Sequence, residues 1–130
     1  MTRYYLDSSV ALHAMLPGGS ARAAEWLDVG GQAIYSSTLL QLELSRVLRR
    51  EGLPTSRARP VIDRIALISI DDGVLNAAAA IEPHVKSLDA IHLATCALLG
   101  PEACLVTHDL AMAQAASALG VSAVDPLEPR

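Results

Sequence analysis

Short apolar runs alternate with amphipathic stretches along the whole of this 130-residue chain. Arg3 to Leu6 reads as a strand with Asp7 at its end, followed by a helix bearing Val10, Leu12 and Leu16 that Ser8 or Ser9 caps. Pro17, Gly18 and Gly19 end that helix. Ser20 can cap a second helix, Ala21 to Leu27, closed by Gly30 and Gly31, and Ala33 to Tyr35 form the next strand. Ser36, Ser37 and Thr38 open a helical stretch to Arg50, which Gly52 and Pro54 stop. Thr55 or Ser56 starts another helix through Arg57, Arg59, Asp63 and Arg64, broken or kinked by Pro60. Ala66 to Ile70 is a third strand, and Asp71 and Asp72 favour a helix start before Val74 to Ile81. Ser87 caps a helix from Leu88 to Leu99, ended by Gly100 and Pro101. Ala103 to Thr107 is a fourth strand, Asp109 caps a helix running to Leu119, and Val121 to Val124 is a last strand after Gly120.

Strands alternating with helices in this way predict an α/β fold. The expected architecture is a mainly parallel sheet of four to five strands with helices on both faces. Ligands of such sheets bind beyond the carboxyl ends of the strands, near a switch in strand order. The length fits one domain over residues 1–130 and supports a core without disulfides or a structural metal. That core must come from Leu, Ile, Val and Ala, because the aromatic residues are only Tyr4, Tyr5, Trp26 and Tyr35. Cys96 and Cys104 have no metal-binding spacing and read as small buried apolar residues in a reducing compartment. No signal peptide is evident and the apolar runs are too short to span a bilayer, so a cytoplasmic protein without membrane contact is expected. A net charge of −4 counts against coating nucleic acid by bulk electrostatics.

Four acids change the picture: Asp7, Glu43, Asp89 and Asp109. Each stands among apolar residues, where a lone carboxylate is costly to bury. Asp7 and Asp109 could simply be helix caps. Asp89 falls in a first helical turn, where the dipole favours it. Glu43 could face solvent or pair with Arg46 one turn on. Asp7 has the stronger positional argument, since two neighbouring serines could cap as well and a strand end is where ligands bind. His92 shares a helix face with Asp89 and reads as a packing or orienting residue, because no second His or Cys stands at a zinc spacing. If the four acids converge they repel one another and need a cation, and hard oxygen ligands suit Mg²⁺ or Mn²⁺.

The blocks Tyr5-Leu6-Asp7-Ser8-Ser9, Ser36-Ser37 with Glu43, Leu88-Asp89-Ala90-Ile91-His92-Leu93-Ala94 and Val106-Thr107-His108-Asp109 occur in that order. Together they resemble the PIN-domain ribonucleases, and in particular the VapC toxins of VapBC toxin–antitoxin pairs. The resemblance covers nearly the whole chain and is weakest over residues 53–66. It implies a PIN-like three-layer domain and a metal-dependent endoribonuclease that hydrolyses RNA phosphodiester bonds with a metal-activated water. It maps the four catalytic acids to Asp7, Glu43, Asp89 and Asp109, with Asp7, Asp89 and Asp109 as the metal set. Ser8, Thr107, Arg46 and His92 stand as supporting residues. It further implies an RNA substrate, a VapB-like antitoxin partner and a homodimer. Arg46, Arg49, Arg50, Arg57 and Arg59 would meet RNA, unless they are only a solvated helix face.

The alternative is a catalytically silent domain of the same fold that acts only by binding its antitoxin. A phosphoacceptor receiver fits poorly, because the only Lys is Lys86, ahead of a helix. An aspartyl phosphatase fits poorly too, because Ser9 stands where a second Asp is needed.

Overall fold

The computed structural model describes residues 1–29 and 33–128. Gly30 and Gly31, expected to close the second helix, lie outside them. The described strands are β1 (Arg3–Leu6), β2 (Ala33–Ser37), β3 (Ala66–Ile68), β4 (Ala103–Val106) and β5 (Ser122–Val124), and every pairing between them is parallel. Their order is β3-β2-β1-β4-β5. The chain winds outward from β1 through β2 to β3, then crosses back to β4 on the other side of β1. The switch in strand order therefore falls between β1 and β4, as expected for a site in this class of sheet.

Seven α-helices are described: α1 (Ser8–Met15), α2 (Ala21–Asp28), α3 (Thr38–Arg50), α4 (Arg59–Ile62), α5 (Asp72–Ala79), α6 (Ser87–Ala97) and α7 (Leu110–Ala118). Two apolar clusters divide them. One gathers Leu6, Val10, Leu40, Leu44, Leu48, Val61 and Val106 from the layer of α1 to α4. The other gathers Tyr5, Leu93, Cys96, Leu105, Met112 and Ala115 from the layer of α6 and α7. Alternation along a strand sends neighbouring side chains to opposite faces. Leu6 and Val106 thus enter the first cluster while Tyr5 and Leu105 enter the second.

Local chemistry adjusts several predicted boundaries. Asp7, not a serine, caps α1, because it is the first residue past the strand and its carboxylate accepts from the Ser9 amide. Ser36 and Ser37 belong to β2, whose ladder with β3 extends through Ser37↔Ile68. Pro60 splits the predicted fourth helix into a 3-10 turn, Thr55–Ala58, and the short α4, where the ring sits in the first turn and costs no hydrogen bond. Ser87 is the first helical residue of α6, and Lys86 takes the cap position without a side-chain bond. Asp71 caps α5 through the Val74 amide. Cys96 and Cys104 are both free and buried, and burial pushes the Cys96 thiol up to about 12.

Candidate active site

The parallel register delivers the first two site residues side by side. Leu6 pairs with Val106, so the next residues, Asp7 and Thr107, leave adjacent strands together at the switch point. Asp7 is 4 % exposed. Its Oδ1 accepts from the Ser9 amide at 3.0 Å and the Ser9 hydroxyl at 2.6 Å. Its Oδ2 accepts from the Thr107 hydroxyl at 2.6 Å. Burial still raises its pKa above the usual 3.8, against the pull of those donors. Thr107 also accepts from the Asp109 amide at 3.1 Å, which fixes the turn between β4 and α7.

Asp109 caps α7, with Oδ1 accepting from the amides of Ala111 at 2.9 Å and Met112 at 3.2 Å. The predicted cap is thus real, and it leaves Oδ2 free of that duty. An open hollow lined by Thr107, Asp109, Leu110 and Asp125 adjoins it.

Asp89 is half-buried in the first turn of α6. Burial raises its pKa most, followed by the negative charge of Asp109 and then those of Asp7 and Glu43, with His92 opposing. One carboxylate therefore feels the other three, so the four acids do share one region at the carboxyl end of the sheet. Among the described residues, no three His, Cys, Asp or Glu side chains are set to enclose a metal ion by themselves. The arrangement is an open acidic cluster, not a closed cage.

Glu43 reaches this region from α3, in the layer on the opposite face of the sheet from α6. Its partner is not Arg46, which is exposed, but His92 on α6. His92 Nε2 lies 2.5 Å from Glu43 Oε1, and His92 Nδ1 lies 2.7 Å from the Tyr5 hydroxyl. His92 is 1 % exposed. The reading of His92 as an orienting residue thus acquires a specific object.

Two residues of the site went unassigned in the sequence. Ser9, rather than its neighbour Ser8, holds Asp7, lies 3.3 Å from the Thr107 hydroxyl and accepts from the His108 amide at 2.8 Å. The Asp-x-Ser spacing is the signal for such a turn, since an Asp side chain readily bonds the chain two residues on. Tyr5 carried no signal, because its contact with His92 spans 87 positions. Of the arginines, Arg57 donates to the Met15 carbonyl and Arg64 to the Leu27 carbonyl and Asp28, so both tie helices together.

The PIN domain family model matches residues 4–118. Ribonuclease VapC35 of Mycobacterium tuberculosis is 36% identical over 135 residues, covering 97% of this chain and 98% of that protein. Ribonuclease VapC46 of the same organism is 32% identical over 129 residues, covering 97% and 99%. Among solved structures, a toxin–antitoxin complex from Klebsiella pneumoniae contains a chain that superposes with a TM-score of 0.74 at 20% identity, covering 97% of this chain and 99% of that one. VapBC2 from Rickettsia felis, bound to a DNA fragment from its promoter, gives 0.73 at 12% identity, covering 95% and 98%. The two structures share the fold, and the end-to-end sequence relatives share the family. On the family match and these relatives, the chain belongs to the PIN domain family, among its VapC members.

Proposed function

We propose that this chain is a single PIN domain acting as a divalent-metal-dependent endoribonuclease, the toxin of a type II toxin–antitoxin pair. The observation that carries the reading is the convergence of Asp7, Glu43, Asp89 and Asp109 at the switch point, where Asp89 feels the charge of the other three. A structural role does not need that repulsion. The relatives named as ribonucleases and the toxin–antitoxin complexes of the same fold support it. A VapB-like antitoxin and a second copy of the chain are the proposed partners, and the cytoplasm the proposed location. Among the described residues, no helix is long and apolar enough to cross a membrane.

The donor set fits Mg²⁺ or Mn²⁺. The three candidate ligands, Asp7, Asp89 and Asp109, offer hard carboxylate oxygens, and a bound cation reverses the repulsion that raises Asp89. An open cluster suits an ion that keeps several waters and takes one or two carboxylates directly. When bound, such an ion offsets the charge developing on the scissile phosphate and acidifies an attacking water. The chain's own residues do the rest. Ser9 and Thr107 hold both oxygens of Asp7 in place at the end of β1. Asp109 is fixed by the N-terminus of α7, and the first turn of α6 carries Asp89. Glu43, whose second oxygen is not used by His92, is the carboxylate we assign to accept a proton as water attacks.

The test is cleavage of RNA by the purified chain with Mg²⁺ or Mn²⁺, with chelator as control, followed by sequencing of the ends. Metal-dependent cuts bearing 5′-phosphates are expected, and folded Asp7→Asn should abolish them. Full activity in that variant would remove the metal mechanism. Tight antitoxin binding with no cleavage of any RNA would favour the silent alternative.

A further inference from the structure

We infer that His92 is a positioning residue that aims Glu43 into the acid cluster, itself held in orientation by the hydroxyl of Tyr5. Three observations carry the inference. The three groups form one hydrogen-bonded line, Tyr5 to His92 at 2.7 Å and His92 to Glu43 at 2.5 Å. The line starts on β1, passes through α6 and ends on α3, so it joins the two helical layers across the end of the sheet. Tyr5 and His92 are 0 % and 1 % exposed, so water does not compete for either ring nitrogen.

The proton inventory gives the line a direction. An ionised Glu43 can only accept, so Nε2 must carry a proton and donate it to Oε1. This holds whether the ring is neutral or charged. In the neutral ring Nδ1 accepts from the Tyr5 hydroxyl. In the charged ring Nδ1 donates to the Tyr5 oxygen. The Tyr5 hydroxyl both donates and accepts, so it can serve in either case. The Tyr5 and His92 rings meet edge-on at 66°, with centroids 5.7 Å apart, which adds packing to the hydrogen bond.

Glu43 needs such a device. Its backbone belongs to the layer opposite α6, and a Glu side chain has three rotatable bonds with which to swing into solvent. Binding Oε1 to a rigid buried donor removes that freedom and leaves Oε2 for the cluster. The outer partners of catalytic carboxylates work in this way elsewhere. The inference rests on the ribonuclease reading for its effect on rate, but not for the wiring.

The wiring is tested on the wild-type protein without metal or RNA. In nitrogen-15 histidine spectra at neutral pH, His92 should show a proton on Nε2, and its resonance should move in Glu43→Gln. A His92 whose Nε2 is unprotonated would overturn the inference outright. Its consequence is tested with two variants matched for thermal stability. Gln places an amide nitrogen near the position of Nε2, whereas Asn places one near Nδ1. His92→Gln should cleave RNA within about threefold of wild type, while His92→Asn should lose roughly tenfold or more in kcat at similar KM. Equal rates in the two folded variants would also overturn it. A wild-type protein that cleaves no RNA would instead count against the ribonuclease reading and leave the spectra to decide the wiring.

Discussion

Thr107 holds more of the site together than its size suggests. Its hydroxyl donates to the buried Oδ2 of Asp7 and accepts from the amide that begins the α7 cap. Thr107→Val keeps the shape and removes both bonds. It leaves one carboxylate oxygen buried without a donor, at a cost of about 1–3 kcal/mol. Chemical denaturation should show that loss, and RNA cleavage should fall by about tenfold or more as Asp7 loosens. A Val variant with unchanged stability and rate would mean that Thr107 is only a packing residue. The presence of Asp7, Asp89 and Asp109 could be read from the sequence, since each stands at a strand end or first helical turn. Their partners could not. Ser9 and Ser8 look alike in sequence, and only the turn of the chain after β1 selects Ser9. Glu43 and His92 are 49 positions apart, and no local pattern pairs them.

At the scale of the element, Asp109 serves two masters. It caps α7 through two backbone amides, and its charge raises Asp89. The two duties separate by substitution. Asp109→Asn keeps an oxygen for the cap and drops the charge. Asp109→Ala drops both, at a cost of about 1 kcal/mol in stability. Thermal melts should therefore place Ala below Asn, while cleavage assays place both well below wild type. Cleavage at the wild-type rate by the Asn variant would reduce Asp109 to a cap. The elements themselves were largely legible from alternation and from Pro and Gly punctuation. Boundaries slipped where two good caps stand together, as at Asp7-Ser8-Ser9 and Lys86-Ser87. They also slipped where a strand ran into a helix without a break, as at Ser36-Ser37-Thr38. In each case the neighbouring strand or helix decides, and that information is not local.

Over the whole molecule, the acid cluster is a built-in liability of the metal-free state. Burial raises Asp7, and burial with the charge of Asp109 raises Asp89. A carboxyl whose folded pKa lies above its unfolded value binds more protons folded than unfolded between the two values. Stability from these groups therefore falls as pH rises from about 3.8 through the folded values, and the penalty is largest above them. Asp89→Asn removes part of that penalty. Melts of metal-free protein should show the variant matching wild type in acid and exceeding it at neutral pH by on the order of a few degrees. A gap that does not widen towards neutral pH would contradict the electrostatic account. Added Mg²⁺ should stabilise wild type at neutral pH more than the variant, because only the folded cluster binds it well. The order β3-β2-β1-β4-β5 is what makes the cluster possible, since it sets the ends of β1 and β4 side by side. Alternating strands and helices implied a parallel sheet with such a switch. They did not say which two strands flank it, because strand order depends on how each crossover packs. The most direct test of the central claim is Mn²⁺ binding at neutral pH, followed by paramagnetic resonance in wild type and in folded Asp7→Asn and Asp89→Asn. Saturable binding in wild type and a marked loss of affinity in both variants are expected. Equal binding in all three would contradict that claim.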